Sequence, residues 1–408
     1  MPAKDSQFAI IDPAYGQTAG HHHELNAQLL KQLELHRFTG TVWADQTAAA
    51  GAAVRGMFSE IGYLPLVEWD GLAKSQLKAD QVQQQLQRAA DGSPPVDIWL
   101  AHSLLPFHLL GLARFLARQP DAVAIISLMF DPHDGLLAPL HGPNPERTSA
   151  VALLELSRAC RNAGHRLVIG SGSRHTLERY RPLMEQARLP EPQLHPAVVG
   201  AGCQVSAPGP GATPTVLLHW GDLKPDKGRA EALAMVQALL AGWQPPLASR
   251  FVFHSYSHLA LDPEEAALLQ RAEERLGERF MWLQHQVPSA AMLQLLASCD
   301  LAMFPYSPSR YAHRSSGVLW CYAAARYAAG LPAEALGYGG HWLQEEAQAW
   351  GMTWHIVEPA PPVDLAPWQK GISQALMAVP KRQAAWTPYA NAVLGRSFAD
   401  WVLEQLAA

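Results

Sequence analysis

Short apolar runs alternate with helix-like stretches along most of this 408-residue chain, and that alternation limits what it can fold into. Phe8–Ile11, Gly40–Val42, Leu64–Val67, Val96–Leu100, Ala122–Phe130 and His165–Ile169 predict strands, with helical patterns between them. A loop, Ala14–Gly20, leads from the first strand into a helix starting near His21. Strands that read as continuous apolar runs and are separated by helices belong to a mostly parallel sheet covered on both faces. The expected class is therefore α/β, doubly wound.

Between Val198 and Thr215 the sequence VVGAGCQVSAPGPGATPT is rich in Gly and Pro and poor in charge, the composition of a linker. Beyond it the alternation restarts: strand Val216–Trp220, helix Glu231–Leu240, strand Phe251–His254, helix Pro263–Leu276 and strand Phe280–Leu283. Helix Ser289–Ser298 and strand Leu301–Phe304 follow. Tyr389–Leu406 reads as one amphipathic helix carrying Phe398, Trp401, Val402 and Leu406, with nothing after it to pack on, so it is expected to return to another part of the molecule. The expected domains are residues 1–205, residues 206–388, and a C-terminal helix, 389–408, packed back on the first domain. A chain of this length fits two cores of roughly 200 residues each.

Composition excludes several classes. Hydrophobic residues at 49% and charged residues at 16% describe a folded protein. A formal charge of −5 gives no field for a nucleic-acid backbone, so any basic site must be local. Cys160, Cys203, Cys299 and Cys321 are scattered, with no CxxC pair, which speaks against a zinc ribbon or a disulfide framework and fits a reducing cytoplasm. The start, MPAKDSQFAIID, has no signal-peptide pattern, and no apolar run approaches the ~18 residues of a membrane span. His21–His23 point in three directions on a helix, so no metal is expected there.

Two loops carry the pattern of an anion site. GDLKPDKG, Gly221 to Gly228, follows an apolar strand and precedes a helix, placing Lys224 and Lys227 at a helix entrance. Ser315-Ser316-Gly317, beside Arg310 and Arg314, opens a second helix after strand Leu301–Phe304. The first amides of a helix lack internal partners and carry partial positive charge, which suits a diphosphate. Neither loop has Walker or GxGxxG spacing. Solvated lysines and a capped core helix are the structural alternatives, but parallel strands bring both loops to one sheet edge. Asp131-Pro132-His133-Asp134 is not a DxD triplet and reads as a turn.

GDLKPDKG followed by PYSPSRYAHRSSGVLW…AAGLP in a C-terminal α/β domain resembles the GT-B fold glycosyltransferases, specifically the retaining family-4-like group (glycosyl transferases group 1) with its bacterial polysaccharide enzymes. GQTAGHHHELN after the first strand, His102 in DIWLAHSLL and the last amphipathic helix are similar to features of that group. The resemblance implies two Rossmann-like domains facing a cleft, an acceptor-side N-terminal domain, a nucleotide-sugar-binding C-terminal domain and a helix crossing back. It implies transfer of a sugar from a nucleotide diphosphate-sugar to a glycan, lipid-linked or protein acceptor, retaining and metal-independent. No cofactor beyond the donor substrate is implied, and a lipid-linked acceptor would bring the protein to the inner membrane face. Residue by residue, Lys224, Lys227, Arg314, Ser315, Ser316 and Gly317 fall on the donor-phosphate positions, Gly20 and His21 on the acceptor or sugar side, and His102 beside the transferring sugar as the catalytic residue. Fixed donors at the departing diphosphate lower the barrier to glycosyl transfer.

The chain departs from the group in one respect. Two glutamates eight positions apart are usual there; here the first position is Arg314 and the second falls on Cys321 or Tyr322, neither a carboxylate. An Arg-x-Ser-Gly loop replaces the first glutamate in some members, and Glu334 is a nearby acid. Alternative readings are a non-hydrolysing sugar-nucleotide epimerase, for which a site richer in carboxylates is expected, and a non-catalytic sugar- or protein-binding module.

Overall fold

A computed structural model describes residues 6–16, 21–49, 51, 53–59, 71–130, 132, 146–209, 211–256, 261–312, 314–359, 363–378 and 383–408. The chain forms two compact units, one of residues 1–199 with 396–408 and one of residues 200–395.

The first unit runs β1 (Gln7–Asp12), α1 (His21–Leu35), β2 (Thr39–Asp45), β3 (Val54–Phe58), α2 (Gly71–Asp91), β4 (Ile98–Ala101), α3 (Pro106–Leu116), β5 (Val123–Ser127), α4 (Glu146–Ala163), β6 (Arg166–Ser171), α5 (Arg174–Ala187) and β7 (Gln193–Leu194). Its seven strands are ordered β3-β2-β1-β4-β5-β6-β7, and every pair is parallel. Alternate residues of β1 serve opposite faces. Ala9 and Ile11 join the core formed with α2, α3 and α4, while Phe8 and Ile10 pack with Leu25, Leu29 and Leu33 of α1. Both faces are buried, which is why the strands read as unbroken apolar runs.

The second unit runs β8 (Thr215–His219), α6 (Arg229–Leu240), β9 (Arg250–His254), α7 (Pro263–Leu276), β10 (Phe280–Leu283), α8 (Ser289–Ser298), β11 (Leu301–Phe304), α9 (Gly317–Ala328), β12 (Glu334–Tyr338), α10 (Trp342–Trp350), β13 (Thr353–Val357), α11 (Ala366–Ala378) and α12 (Pro388–Leu394). Its sheet is ordered β10-β9-β8-β11-β12-β13, again wholly parallel. In both units the strand order reverses beside the first strand, between β1 and β4 and between β8 and β11. That reversal opens a crevice at the C-terminal edge of an open α/β sheet.

The segment 389–406 differs from the single helix that its apolar periodicity predicts. It forms α12 and a separate α13 (Phe398–Ala407), because Ser397 accepts from the amide of Asp400 while the Asp400 carboxylate accepts from the amide of Ser397, a capping box that starts a new helix. Tyr389, Val393 and Leu394 of α12 are buried in the second unit. Phe398, Trp401, Val402 and Leu406 of α13 complete the α1 face of the first, each contributing roughly 2 kcal/mol by burial. His195 packs its ring 4.9 Å from Phe398 and 4.8 Å from Trp401, and Arg166 reaches the Gln405 carbonyl at 2.7 Å. The predicted strand Leu64–Val67 lies outside the described residues. No described helix is long and apolar enough to cross a membrane.

Candidate functional site

The two loops singled out in the sequence follow β8 and β11, which are neighbours in the sheet, and they touch. The amide of Ser307 donates to the Asp226 carbonyl at 2.9 Å, and Arg314 reaches the Asp226 carboxylate at 3.4 Å. Gly228 makes this approach possible: its φ is +77°, and a Cβ there would lie 2.2 Å from Pro305 Cγ. Lys224 and Lys227 bracket a short 3-10 turn, Pro225–Lys227, just before α6. Lys224 pairs with Asp222 at 3.0 Å. Burial holds Lys227 below the usual lysine range, with Asp222 opposing that shift and Lys224 and Arg314 adding to it.

On the β11 side Ser316 caps α9, its hydroxyl accepting from the amide of Leu319 at 3.4 Å. Tyr306 and Tyr311 are buried under the loop with ring centroids 4.7 Å apart, and the Arg314 guanidinium lies 5.5 Å above the Tyr311 ring. Gly317 is exposed, and a Cβ there would meet nothing within 4 Å. His219, the last residue of β8, lies beneath with its buried Nε2 lacking a hydrogen-bond partner among the described residues. Burial, with Lys227 adding to it, lowers its pKa to about 3.

The first unit carries a different group at the matching crevice. Asp12 ends β1 with its carboxylate fully buried. It accepts from His22 Nδ1 at 2.9 Å, from Asn26 Nδ2 at 2.7 Å and from the Ala14 amide at 3.2 Å. Burial works against its ionisation, but His102, His22 and Asn26 outweigh that and hold it well below the usual carboxylate range. His102 follows β4, its Nε2 2.9 Å from Asn26 Oδ1 and its Nδ1 3.0 Å from Ser103 Oγ. Burial lowers His102 to about 4, against the pull of Asp12. Ser103 takes a left-handed φ of +58°, the strained backbone often found at working sites.

Asp12, His22 and His102 place three ligand atoms within 4.8 Å of one another, the one such group among the described residues. The hydrogen bonds need protons on His22 Nδ1 and His102 Nε2, where a cation would need lone pairs.

The structure thus brings Lys224, Lys227, Arg314, Ser315, Ser316 and Gly317 to one sheet edge. His102 belongs to the first unit, fully buried, with both ring nitrogens engaged inside the protein. Gly20 lies outside the described residues, and of His21 only the backbone position, first in α1, is described. Asp131, His133 and Asp134 also lie outside them. Glu334 is not placed to stand in for a sugar-holding acid. It is the first residue of β12, at the opposite end of the sheet from the loops, and its carboxylate is 2.8 Å from His355 Nε2. Cys321 and Tyr322 are buried in α9, the Tyr322 hydroxyl donating to the Glu334 carbonyl at 2.9 Å. Asp12, His22 and Asn26 were not singled out in the sequence. Their signal is a carboxylate at a strand end followed by His and Asn four apart on one helix face.

Two doubly wound parallel sheets and a last helix returning to the first unit define the GT-B fold. Comparison with solved structures agrees. Trehalose-6-phosphate synthase OtsA matches with a TM-score of 0.59 and 10% identity over 98% of this chain and 98% of that one. The UDP-forming α,α-trehalose-phosphate synthase of Burkholderia xenovorans, solved with glucose-6-phosphate, matches with a TM-score of 0.58 and 11% identity over 98% and 99%. Sucrose-phosphate synthase of Thermosynechococcus elongatus gives 0.53 and 14% over 98% and 94%. No protein-family model matches the sequence, and no curated protein matches it.

Proposed function

We propose that this chain is a glycosyltransferase that takes a sugar from a nucleotide diphosphate-sugar and passes it to a hydroxyl of a glycan acceptor, with the donor diphosphate on the second unit. The observation that carries this reading is the contact between the Lys224–Gly228 and Pro305–Gly317 loops at the crevice beside β8. Two lysines, an arginine and the first amides of α9 converge there on a fold shared with sugar-transferring synthases. As the glycosyl–phosphate bond breaks, negative charge grows on the diphosphate, and these groups are fixed where they can stabilise it. Lipid-linked and protein acceptors are narrower versions of the same proposal, as are retention of configuration and catalysis by these cations without a metal.

UDP-glucose is the first donor to try, followed by a panel of other nucleotide sugars. A donor that binds only the folded chain raises the unfolding midpoint. Replacing both Lys224 and Lys227 with alanine should weaken that binding by about 2 kcal/mol or more, roughly 30-fold, with the fold intact. Unchanged affinity in the double variant would remove the reading. A non-catalytic donor-binding module has one observation in its favour, the absence of a carboxylate at buried Cys321 and Tyr322. Donor binding without any release of free UDP would select it.

A further inference from the structure

We propose that the first unit carries a separate anion site, away from its strand-reversal crevice, which takes the phosphate of a small, freely diffusing phosphomonoester between Arg161 of α4 and Arg188 at the end of α5. The inference goes beyond the glycosyl-transfer reading and does not depend on it.

A cavity of about 510 Å³ opens between the last turns of α4, the start of β6 and the chain leaving α5. Gly164 and His165 of its lining precede β6, so it lies at the N-terminal edge of the sheet, whereas the β1/β4 crevice is at the C-terminal edge. Arg161 and Arg188 line it, and no carboxylate does; Asp121 stands beside the Gly164 turn, outside the lining. Neither guanidinium makes an ion pair or a hydrogen bond among the described residues, although Arg114 pairs with Asp80 and Glu155 in the same unit. Cations at a helix end often serve its last carbonyls. At α5 the backbone does that: the amides of Arg188 and Leu189 donate to the carbonyls of Glu185 and Met184, each at 3.0 Å. Arg188 itself has a φ of +54°, at a cap position that usually belongs to glycine.

The lining also supplies a hydroxyl. Ser157 is 2% exposed, and its Oγ has no hydrogen-bond partner among the described residues. A buried hydroxyl left unpaired is costly, and a phosphate oxygen accepting from it would remove that cost. His165 is engaged within the protein, its Nδ1 accepting from the Ala122 amide at 3.1 Å and its Nε2 donating to the Leu116 carbonyl at 2.8 Å. Burial pushes the Cys160 thiol up to about 11, so no thiolate opposes an anion there. Two guanidinium forks match the oxygens of a phosphate, and Leu167 and Leu189 offer apolar wall to a short carbon skeleton. From Ser157 to Pro190 the chain holds seven arginines and two glutamates in a protein of net charge −5, so the local field draws anions to this face.

The test uses the full chain, with inorganic phosphate and glycerol 3-phosphate as probes. Titration into Lys224→Ala/Lys227→Ala protein removes the lysines of the second unit from the result. Saturable binding should persist there, and the Nε–H NMR signals of Arg161 and Arg188 should shift. Adding Arg161→Gln and Arg188→Gln, both exposed positions, should weaken glycerol 3-phosphate about tenfold or more with the fold intact. Ser157→Ala should weaken it about fivefold. No saturable binding, binding that ignores the arginine pair, or binding only to vesicles that carry phosphatidic acid would overturn the proposal. Unchanged binding in Ser157→Ala would overturn the part given to the hydroxyl.

Discussion

The two units share a strand order and differ in the charge they place where that order reverses. Beside β1 lies a buried carboxylate held by His22, Asn26 and a backbone amide. Beside β8 lie Lys224, Lys227 and Arg314 with the open start of α9. Topology supplies the same crevice twice, and side chains decide what each can hold. The first pairs a carboxylate with imidazoles, and the second gathers cations at the start of a helix. The polar groups are also handled differently: the Asp12 carboxylate is sealed from water, whereas Lys224 remains half-exposed beside Asp222.

The largest expected effect follows from that sealing. Replacing Asp12 with alanine leaves the His22 and Asn26 donors without their acceptor, so it should destabilise the first unit by about 3 kcal/mol. Losing the Lys224–Asp222 pair, by contrast, should cost the second unit about 0.5 kcal/mol at most, since the pair is water-exposed. Hydrogen exchange resolved by residue would show the loss in β1, β4 and α1, with α6 and α9 protected as before. Equal loss of protection in both units, or none in the first, would end the contrast.

How much of this was legible in the sequence divides along physical lines. β10, α8 and β11 lie where the apolar periodicity puts them: β11 is a central strand buried along its whole length, while β10, at the sheet edge with only Phe280 fully buried, and α8, with Leu296 and Ala297 buried, are marked by the apolar residues they carry. β3 is a sheet-edge strand with only Phe58 fully buried, and β7 is two residues long, so neither shows as an apolar run. The break between α12 and α13 is hidden because Gly395-Arg396-Ser397 sits inside one continuing periodicity; only the Ser397/Asp400 pair marks it. The loops beside β8 and β11 are readable because each is coded locally, by lysines or by Ser-Ser-Gly at a helix start. Asp12 and His102 come from strands that meet only in the folded sheet, and the Asn26–His102 bond spans 76 positions. Asp12 next to Pro13 looks like a strand stop, and His22 is one of three histidines in a row.

A middle-sized effect separates a capped core helix from an anion site in the second unit. Gly317 opens α9 with nothing within 4 Å of where a Cβ would be, so a β-carbon there points into open space. The helix should keep its far-ultraviolet circular dichroism, since valine is no poorer a helix former than glycine. If the donor phosphate approaches the first amides of α9, the added bulk occupies that approach, and UDP-glucose affinity should fall about tenfold or more. Arg314→Lys sharpens the point. It keeps a point charge for phosphate but loses the planar guanidinium that reaches Asp226 and covers Tyr311, so a small effect on affinity would mark Arg314 as a shaper of the loop. Normal donor binding in Gly317→Val would leave α9 as an ordinary capped helix.

The smallest expected effect is a pH dependence that only the second unit should show. Burial lowers the Lys227 pKa, Lys224 and Arg314 add to the shift, and Asp222 and Asp226 oppose it. In the donor-free protein Lys227 therefore loses its proton at a lower pH than an ordinary lysine. Above that point the donor must bind a neutral amine or recharge it, so affinity should decline as pH rises, at most about tenfold per pH unit for one proton. Folding stability responds with the opposite sign. Between the lowered folded value and 10.5 the unfolded chain binds more protons, so the contribution of this group to stability rises with pH while its contribution to donor affinity falls. Lys227→Arg, charged at every accessible pH, should flatten the affinity profile without moving the Asp12 network. Calorimetric titration with UDP-glucose from neutral to alkaline pH measures both profiles. A wild-type profile as flat as that of the arginine variant would mean that Lys227 carries no charge to the diphosphate, leaving Lys224, Arg314 and the α9 amides to hold it.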